Sequence, residues 1–186
     1  MMMGMVAMSA QASGPSVLTF NTAGAPFGVN FSNGNATVTM TQGYGQGCLA
    51  NVAALSGKKC WTINYTGSAN DISVGVATAA MNLNSQPGDE TISVGYHTGG
   101  GAPGGIFQNG GTINFPYWGG ATHTQTIIVG WDTATNTIEI FVDGSSIGTQ
   151  VCTALGAAAY PAVGAYSSQA VTITRTVSPP SGYTAI

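Results

Sequence analysis

The sequence predicts an all-β fold in which two antiparallel sheets pack face to face as a sandwich. Three observations lead to this prediction. Short apolar or alternating runs recur along the chain, turn residues such as Gly, Asn, Asp and Pro interrupt them at close spacing, and no stretch keeps helical periodicity. Many short strands separated by turn signals are typical of a sandwich or barrel.

The clearest pattern lies in the middle of the chain. Residues 126–131 form a short apolar run, which suits a strand that is covered on both faces. Residues 137–142 alternate between apolar and other side chains, as a strand with one buried face does. Asp143 and Gly144 then predict a tight turn into a third strand at 146–151. The sequence therefore predicts a three-strand meander here.

Other strands follow from the same reasoning. They are predicted at 16–20, 27–31, 36–41, 60–66, 72–76, 91–96, 160–166 and 171–177. Asn33 and Gly34 predict a hairpin turn, and Pro179 with Pro180 is expected to end the last sheet strand. The glycine-rich segments 43–47 and 97–111 are expected to be loops. The predicted core includes Val74, Val76, Ile138, Ile140, Val142 and Val163.

The chain is expected to form one domain with an apolar N-terminal extension. We divide it into an arm at 1–15, the sandwich at 16–178 and a C-terminal tail at 179–186. The arm is uncharged and rich in methionine, and it is treated as part of the mature chain because it lacks the basic region of a signal peptide. An exposed segment of this kind would be adhesive, so we expect a neighbouring subunit to cover it, with local docking on its own domain as the alternative. The residues assigned to this assembly contact are Met1, Met2, Met3, Met5 and Met8.

Charge is scarce, and this limits the partners. Charged residues make up 5% of the chain, against about 25% in typical domains. The only basic residues are Lys58, Lys59 and Arg175, too few to neutralise nucleic-acid phosphates or to attract an anionic membrane. No apolar run is long enough to span a bilayer, so membrane insertion is not expected. An uncharged polar surface is typical of proteins that are packed in an assembly or exposed outside a cell.

The three cysteines, Cys48, Cys60 and Cys152, show neither a C-x-x-C pair nor zinc-finger spacing with histidine. Buried free thiols are the preferred interpretation, since a free cysteine behaves as a small apolar residue. A disulfide between Cys48 and Cys60 is the alternative.

Four stretches taken in order resemble the SPRY family of the concanavalin-like β-sandwiches. They are SGKKCWTINYTG, ISVGVATAAMNLNSQPGD, IIVGWDTATNTIEIFVDGSSIGT and YPAVGAYS. The resemblance covers residues 56–176, and it implies an antiparallel two-sheet sandwich of jelly-roll type. The sequence departs from the family pattern at Cys60 and Val94, where aromatic residues are usual.

The resemblance also implies a function. SPRY-like domains of eukaryotes are scaffolds for protein recognition, and uncharged versions rich in Gly, Ser and Thr look like those of phage tail, fibre and other virion proteins. We therefore expect a non-enzymatic structural or binding module of a virion, such as a capsid decoration, tail or fibre protein, made in the host cytoplasm. Its expected partners are other virion proteins, copies of itself, or a host-surface glycan or protein, and no cofactor or metal is expected.

Aromatic and histidine side chains around the glycine-rich segments are the candidate ligand contacts. Aromatic rings offer large contact areas at low entropy cost, and sugars stack on them, so a carbohydrate-binding, lectin-like module is an alternative function. Simple cover of the sandwich edge is the alternative role for these rings. The candidate residues are Tyr96, His97, Phe107, Tyr117, Trp118 and His123.

Catalysis finds little support in the sequence. A glycoside hydrolase on this fold would need two facing carboxylates, but the acids are few and several lie in predicted turns. Gly99, Gly101 and Gly104 match the G-x-G-x-x-G spacing, yet no βαβ unit surrounds them, so we reject a dinucleotide site. We expect no catalytic residue.

Overall fold

The computed structural model describes residues 18–41, 45–52, 56–68, 72–98, 105–114, 122–152, 154–155, 159–165, 169–174 and 178–186. Within these ranges the chain forms fourteen β-strands, arranged as two sheets, and no helix. The described part of the chain accordingly contains no helix that could cross a bilayer.

The larger sheet has eight strands. In spatial order they are β1 (Val29–Ser32), β2 (Thr37–Met40), β13 (Gln169–Thr174), β4 (Lys58–Ser68), β9 (Thr122–Asp132), β10 (Thr137–Val142) and β11 (Ser145–Val151), and β14 (Thr184–Ala185) lies parallel to β4. The smaller sheet has six strands. They are β3 (Gln46–Leu49), β12 (Tyr160–Ala165), β5 (Ile72–Ala77), β6 (Ser93–His97), β7 (Gly105–Gln108) and β8 (Gly111–Asn114).

The core lies between the two sheets, where alternate side chains of each strand point inward. Trp61 and Ile63 on β4 face it, as do Val129 and Trp131 on β9, and all four are fully buried. The six predicted core residues are each at most 1% exposed: Val74, Val76, Ile138, Ile140, Val142 and Val163. The predicted all-β sandwich is thereby confirmed.

The predicted turns are also present. Asp143 and Gly144 have φ angles of 48° and 84°, the left-handed values that a two-residue hairpin turn requires. In the turn before β10, the side-chain oxygen Oδ1 of Asp132 accepts the backbone N–H of Ala134 at 2.9 Å. Short polar side chains and glycine therefore specify the register of the meander.

The glycine-rich segments differ from the prediction. Gly47 belongs to strand β3, although 43–47 was expected to be a loop. The segment 97–111 was also expected to be a loop, yet it contains β7 and the start of β8, joined by a turn in which Asn109 and Gly110 have positive φ. Asn109 and Gly110 therefore form a hairpin turn, which the surrounding glycines made hard to recognise in the sequence. At 16–20, the described residues form only a single bridge from Phe20 to Ala50.

Close packing explains the glycines in the smaller sheet. The segment 78–92, here called the cover segment, lies across the outer face of this sheet. A Cβ atom on Gly95 would come within 2.2 Å of the carbonyl oxygen of Pro87, and the same oxygen accepts the Ser73 hydroxyl at 2.6 Å. A larger residue at Gly95 or at Ser73 would push the cover segment away from the sheet. Strand β5 is consequently buried on both faces.

A second segment covers the outer face of the larger sheet. It consists of residues 178–186, here called the C-terminal strap. Residues 179–186 were expected to be a tail, but Thr184 and Ala185 pair with β4 as strand β14. The strap places the ring of Tyr183 against Gly130, where a Cβ atom would lie 2.6 Å from the ring carbon Cε1. The ring also meets Phe141 edge to face, with centroids 5.8 Å apart.

Polar contacts hold the strap in place. The hydroxyl of Tyr183 donates to the carboxylate oxygen Oε2 of Glu139 at 2.9 Å, while Ser146 donates to the other oxygen at 2.7 Å. The ammonium of Lys58 lies 5.6 Å from the Tyr183 ring centroid and 3.9 Å from the carboxylate of Asp132. Burial, the hydrogen bond to Glu139 and the nearby negative charges all raise the pKa of Tyr183.

The three cysteines are free and buried in the structure. Cys48 is on β3 and Cys60 on β4, in different sheets. Burial raises the pKa of both the Cys48 and the Cys152 thiol to about 12. These two thiols are therefore protonated and unreactive in the folded chain.

The free thiols lead to a labelling prediction. After denaturation without reductant, three thiol groups per chain should react with a thiol reagent, one for each cysteine. In the folded chain at about pH 8, a thiol with a pKa of about 12 is ionised to only about one part in ten thousand, so Cys48 and Cys152 should react slowly. Recovery of a single equivalent from the denatured chain would instead show a disulfide.

The strap leads to a prediction about alkaline pH. The raised pKa of Tyr183 means that its contribution to stability is complete below the unfolded tyrosine pKa of about 10. This contribution is lost as the pH rises toward and through the higher folded pKa, so the free energy of unfolding should fall more steeply in the wild type than in Tyr183→Phe above about pH 10. Urea titrations at several pH values measure both slopes.

Ser146→Ala is the matched control for this experiment. It also removes a hydrogen bond to Glu139 but adds or removes no group that titrates in this range. At pH 7 each variant should lose about 1 kcal/mol, yet only Tyr183→Phe should flatten the alkaline slope. Parallel curves for the wild type and Tyr183→Phe up to pH ~11 would contradict the assignment.

Candidate functional site

A cleft of about 310 Å³ opens beside β3, which is an edge strand of the smaller sheet. Three stretches distant in sequence form most of its wall: the turn at 21–24, the end of β3, and the cover segment. None of its lining residues is charged. They are Asn21, Ala23, Gly24, Leu49, Ala50, Ala79, Met81, Leu83 and Tyr160.

Backbone hydrogen bonds hold the walls of the cleft. The N–H of Asn21 donates to the carbonyl of Leu49 at 2.7 Å, and the Asn21 side chain accepts the N–H of Ala23 at 3.0 Å. On the opposite side, the N–H of Met81 donates to the carbonyl of Thr78 at 3.1 Å. The cleft is thus formed by the folded chain itself, before any partner arrives.

The lining of the cleft combines apolar side chains with polar groups in about equal measure. Leu49 and Met81 belong to a small cluster of buried residues, separate from the core between the sheets, against which Leu83 and Tyr160 also pack. Asn21 and Tyr160 add polar groups to this lining. A cleft with these properties suits an aliphatic or aromatic side chain better than a charged group.

The predicted ligand contacts are only partly brought together. Tyr96 pairs with Val74 and shares its inward direction, so its ring is 1% exposed in the core and is not available to a ligand. His97 and Phe107 do meet on the outer side of the smaller sheet, with ring centroids 4.6 Å apart and planes inclined by 45°. Tyr117 and Trp118 lie outside the described residues.

His123 lies on β9 opposite Gly67, and its side chain is outside the description. Burial lowers the pKa of His97, while the charge of Asp89 opposes that shift, so His97 is neutral at pH 7. The half-buried rings of His97 and Phe107 contact each other rather than forming an open flat face for a sugar. Carbohydrate binding by the aromatic residues stays a prediction.

The predicted assembly residues Met1, Met2, Met3, Met5 and Met8 lie outside the described residues. The packing of the arm against another subunit therefore stays a prediction.

Four carboxylates of the described chain have local structural partners. Asp89 accepts the N–H of Gln86 at 3.1 Å, and Glu90 accepts the N–H of Asn82 at 3.3 Å. The Asp132 carboxylate accepts a hydrogen bond in the turn before β10, and the Glu139 carboxylate accepts one beneath the strap. Where the structure describes the chain, no three His, Cys, Asp or Glu side chains are grouped as metal ligands would be.

Sequence reasoning missed the cleft because its lining comes from segments far apart in the chain. One local signal was available. Met81 and Leu83 are apolar residues inside the otherwise polar, turn-rich cover segment, and a loop residue of this type usually covers or lines something.

The fold has well-defined structural neighbours. The SPRY domain of human HERC1 matches with a TM-score of 0.70 and 21% identity over 86% of this chain and 99% of that domain. The PSpry domain of TRIM65 matches with a TM-score of 0.71 and 12% identity over 86% of this chain and 93% of that domain. Stonustoxin matches with a TM-score of 0.64 and 16% identity over 84% of this chain, which spans only 27% of the toxin chain.

No protein-family model matches the chain, and no curated protein does. Identities of 12 to 21% therefore support a conclusion about the fold alone. The strand pattern, the two-sheet packing and these neighbours agree with the resemblance seen in the sequence. The chain has the fold of the SPRY domains, a concanavalin-like β-sandwich.

Proposed function

We propose that this chain is a non-enzymatic protein-binding module. The observation that carries the proposal is the preformed, uncharged cleft at the edge of the smaller sheet. A protein partner that inserts an apolar side chain there would bury apolar surface on both sides. SPRY-like domains generally serve as protein-interaction modules, which is consistent with this role.

The engagement of the acidic side chains also supports a binding role. General acid–base chemistry needs a carboxyl group that is free to exchange protons with a substrate. In the described chain, Glu139 is occupied by two hydroxyl donors and Asp132 by a turn N–H and an ammonium. These carboxylates hold turns and the strap in place.

The finer proposal is a structural role in a virion, as a capsid decoration, tail or fibre component made in the host cytoplasm. Two features of the sequence support it: the very low content of charged residues and the uncharged, methionine-rich arm. The partners would be other virion proteins, copies of this chain, or a protein or glycan of the host surface. An uncharged surface suits a protein that spends its working life in contact with neighbours.

Deletion of residues 1–13 tests this role. Because the described strands begin after the arm, the truncated chain should give an unchanged circular dichroism spectrum. Its incorporation into purified particles should fall by about tenfold or more, since the apolar contacts of the arm would be lost. Quantitative mass spectrometry of gradient-purified particles measures the occupancy of both chains.

Two outcomes would count against the proposal. If the full chain is absent from purified particles, the virion role is wrong. If the truncated chain reaches normal occupancy, the arm is not the anchor, and the region around Tyr117 and Trp118 becomes the better candidate for attachment.

A further inference from the structure

We infer that Asn33 is a site of spontaneous modification in the folded chain, where the backbone nitrogen of Gly34 attacks the Asn33 side chain and converts it to aspartate or isoaspartate. The other Asn-Gly pair, Asn109 with Gly110, is protected against the same reaction by the fold. The inference goes beyond the proposed binding role and does not depend on it, because it concerns the chemistry of two turns within the chain.

The sequence contains two Asn-Gly pairs, and both lie in β-hairpin turns. Glycine leaves the backbone nitrogen that follows an asparagine unhindered, because it has no Cβ. Asn33 and Asn109 have similar left-handed φ angles, 52° and 54°, and both residues are exposed. Both hairpins also include an edge strand of their sheet. The asparagine backbone, the access of water and the position in the sheet therefore do not distinguish the two pairs.

The reaction consumes only water. The Gly34 nitrogen forms a bond to Cγ of Asn33 and gives up its proton, while the bond from Cγ to Nδ2 breaks and ammonia leaves with that proton. The product is a cyclic imide, a succinimide. Water then adds to one of the two ring carbonyl carbons and opens the ring. Aspartate results when the Gly34 nitrogen leaves Cγ, and isoaspartate results when it leaves the backbone carbonyl carbon of Asn33.

The attacking nitrogen of Gly34 has no hydrogen-bond acceptor among the described residues. The backbone bonds of this turn use other groups. The N–H of Ala36 donates to the carbonyl of Asn33 at 3.2 Å. The carbonyl of Asn35 accepts the N–H of Phe20 at 2.8 Å. Gly34 is itself exposed, so its nitrogen is available for attack without the loss of a hydrogen bond to the protein.

The Asn33 side chain must also turn toward this nitrogen. In the structure its amide donates to the hydroxyl of Thr37 at 3.0 Å. Because this contact is exposed, water replaces it at little cost in free energy. The hairpin lies at the edge of the larger sheet, so a brief opening of the turn does not require the rest of the sheet to unfold.

The nitrogen of Gly110 is engaged instead. Its N–H donates to the carbonyl of Gly88, in the cover segment, at 3.1 Å. Gly88 is fixed in turn, because its own N–H donates to the hydroxyl of Ser93 at 2.9 Å. A Cβ atom on Gly88 would lie 2.7 Å from the carbonyl oxygen of Phe107, so the cover segment packs closely on β7 at this point. Attack by Gly110 therefore requires the loss of a hydrogen bond that Gly34 does not have.

The modification changes both the charge and the geometry of the hairpin. No charged residue occurs before Lys58, so the new carboxylate is the first charge in this part of the chain and makes the net charge −4 instead of −3. Isoaspartate also adds a side-chain carbon to the backbone path between Ser32 and Thr37, which are paired in the hairpin. The longer connection should loosen β1, whose Val29 and Phe31 pack against the core.

Peptide mapping by mass spectrometry tests the inference on the full chain. Samples incubated at mildly alkaline pH are digested at low pH, and the fraction of each asparagine that has exchanged its amide for a carboxyl group is followed with time. In the folded chain, Asn33 should be modified about tenfold faster than Asn109, the factor expected when one backbone hydrogen bond must be broken. In urea the two rates should become similar, because the contact with Gly88 is lost.

Asn33→Gly is the matched variant. It removes the reactive amide, and glycine accepts the φ of 52° at this position without strain. Ion-exchange chromatography should show an acidic form that accumulates in the wild type and is lost in this variant. Circular dichroism at the end of the incubation checks that both chains are still folded.

Three results would overturn the inference. They are equal rates at Asn33 and Asn109 in the folded chain, a faster rate at Asn109, and an Asn33 that is modified only in urea. An acidic form that accumulates equally in Asn33→Gly would likewise place the reaction elsewhere in the chain. None of these results bears on protein binding at the cleft, so the proposed function is tested separately.

Discussion

The long antiparallel pairing of β4 with β9 is the constraint on which the rest of the structure depends. Its register runs from Lys58 opposite Asp132 to Ser68 opposite Thr122 and sets which side chains face the core. Trp61 and Trp131 are turned inward by this register, and neither indole N–H has an acceptor within the described residues. Leaving a buried indole N–H without an acceptor costs about 1 to 3 kcal/mol, and the burial of the two large rings must offset this cost.

The central pairing also determines what lies on the outer face. The same register places Cys60, Gly130 and Glu139 in one row across three strands. The missing side chain of Gly130 leaves room for the Tyr183 ring, and Glu139 supplies the acceptor for its hydroxyl. Lys58, Asp132 and Glu139 are in this way gathered beneath the strap, where their contacts with Tyr183 and with each other hold it against the sheet.

The parts of the fold that sequence reasoning found are those with local causes. Strand β10 was predicted with its observed bounds because alternation and the flanking Asp and Asn turn residues all lie within one short window. Strand β3 was missed because its Gly47 makes room for the cover segment, which approaches from elsewhere in the chain. Strand β7 was missed because it lies within a glycine-rich run. The strap was missed for the same reason, since Thr184 pairs with Lys59 across most of the sequence.

The candidate site was likewise predictable only where its causes are local in sequence. Aromatic content pointed to His97 and Phe107, which do meet, but alternation along β6 sends the neighbouring Tyr96 into the core. The sequence predicts a strand at 91–96 but not which of its faces points inward, and that face is set by pairing with β5. The cleft required the tertiary contact of three segments, so only the apolar Met81 and Leu83 in a polar loop hinted at it.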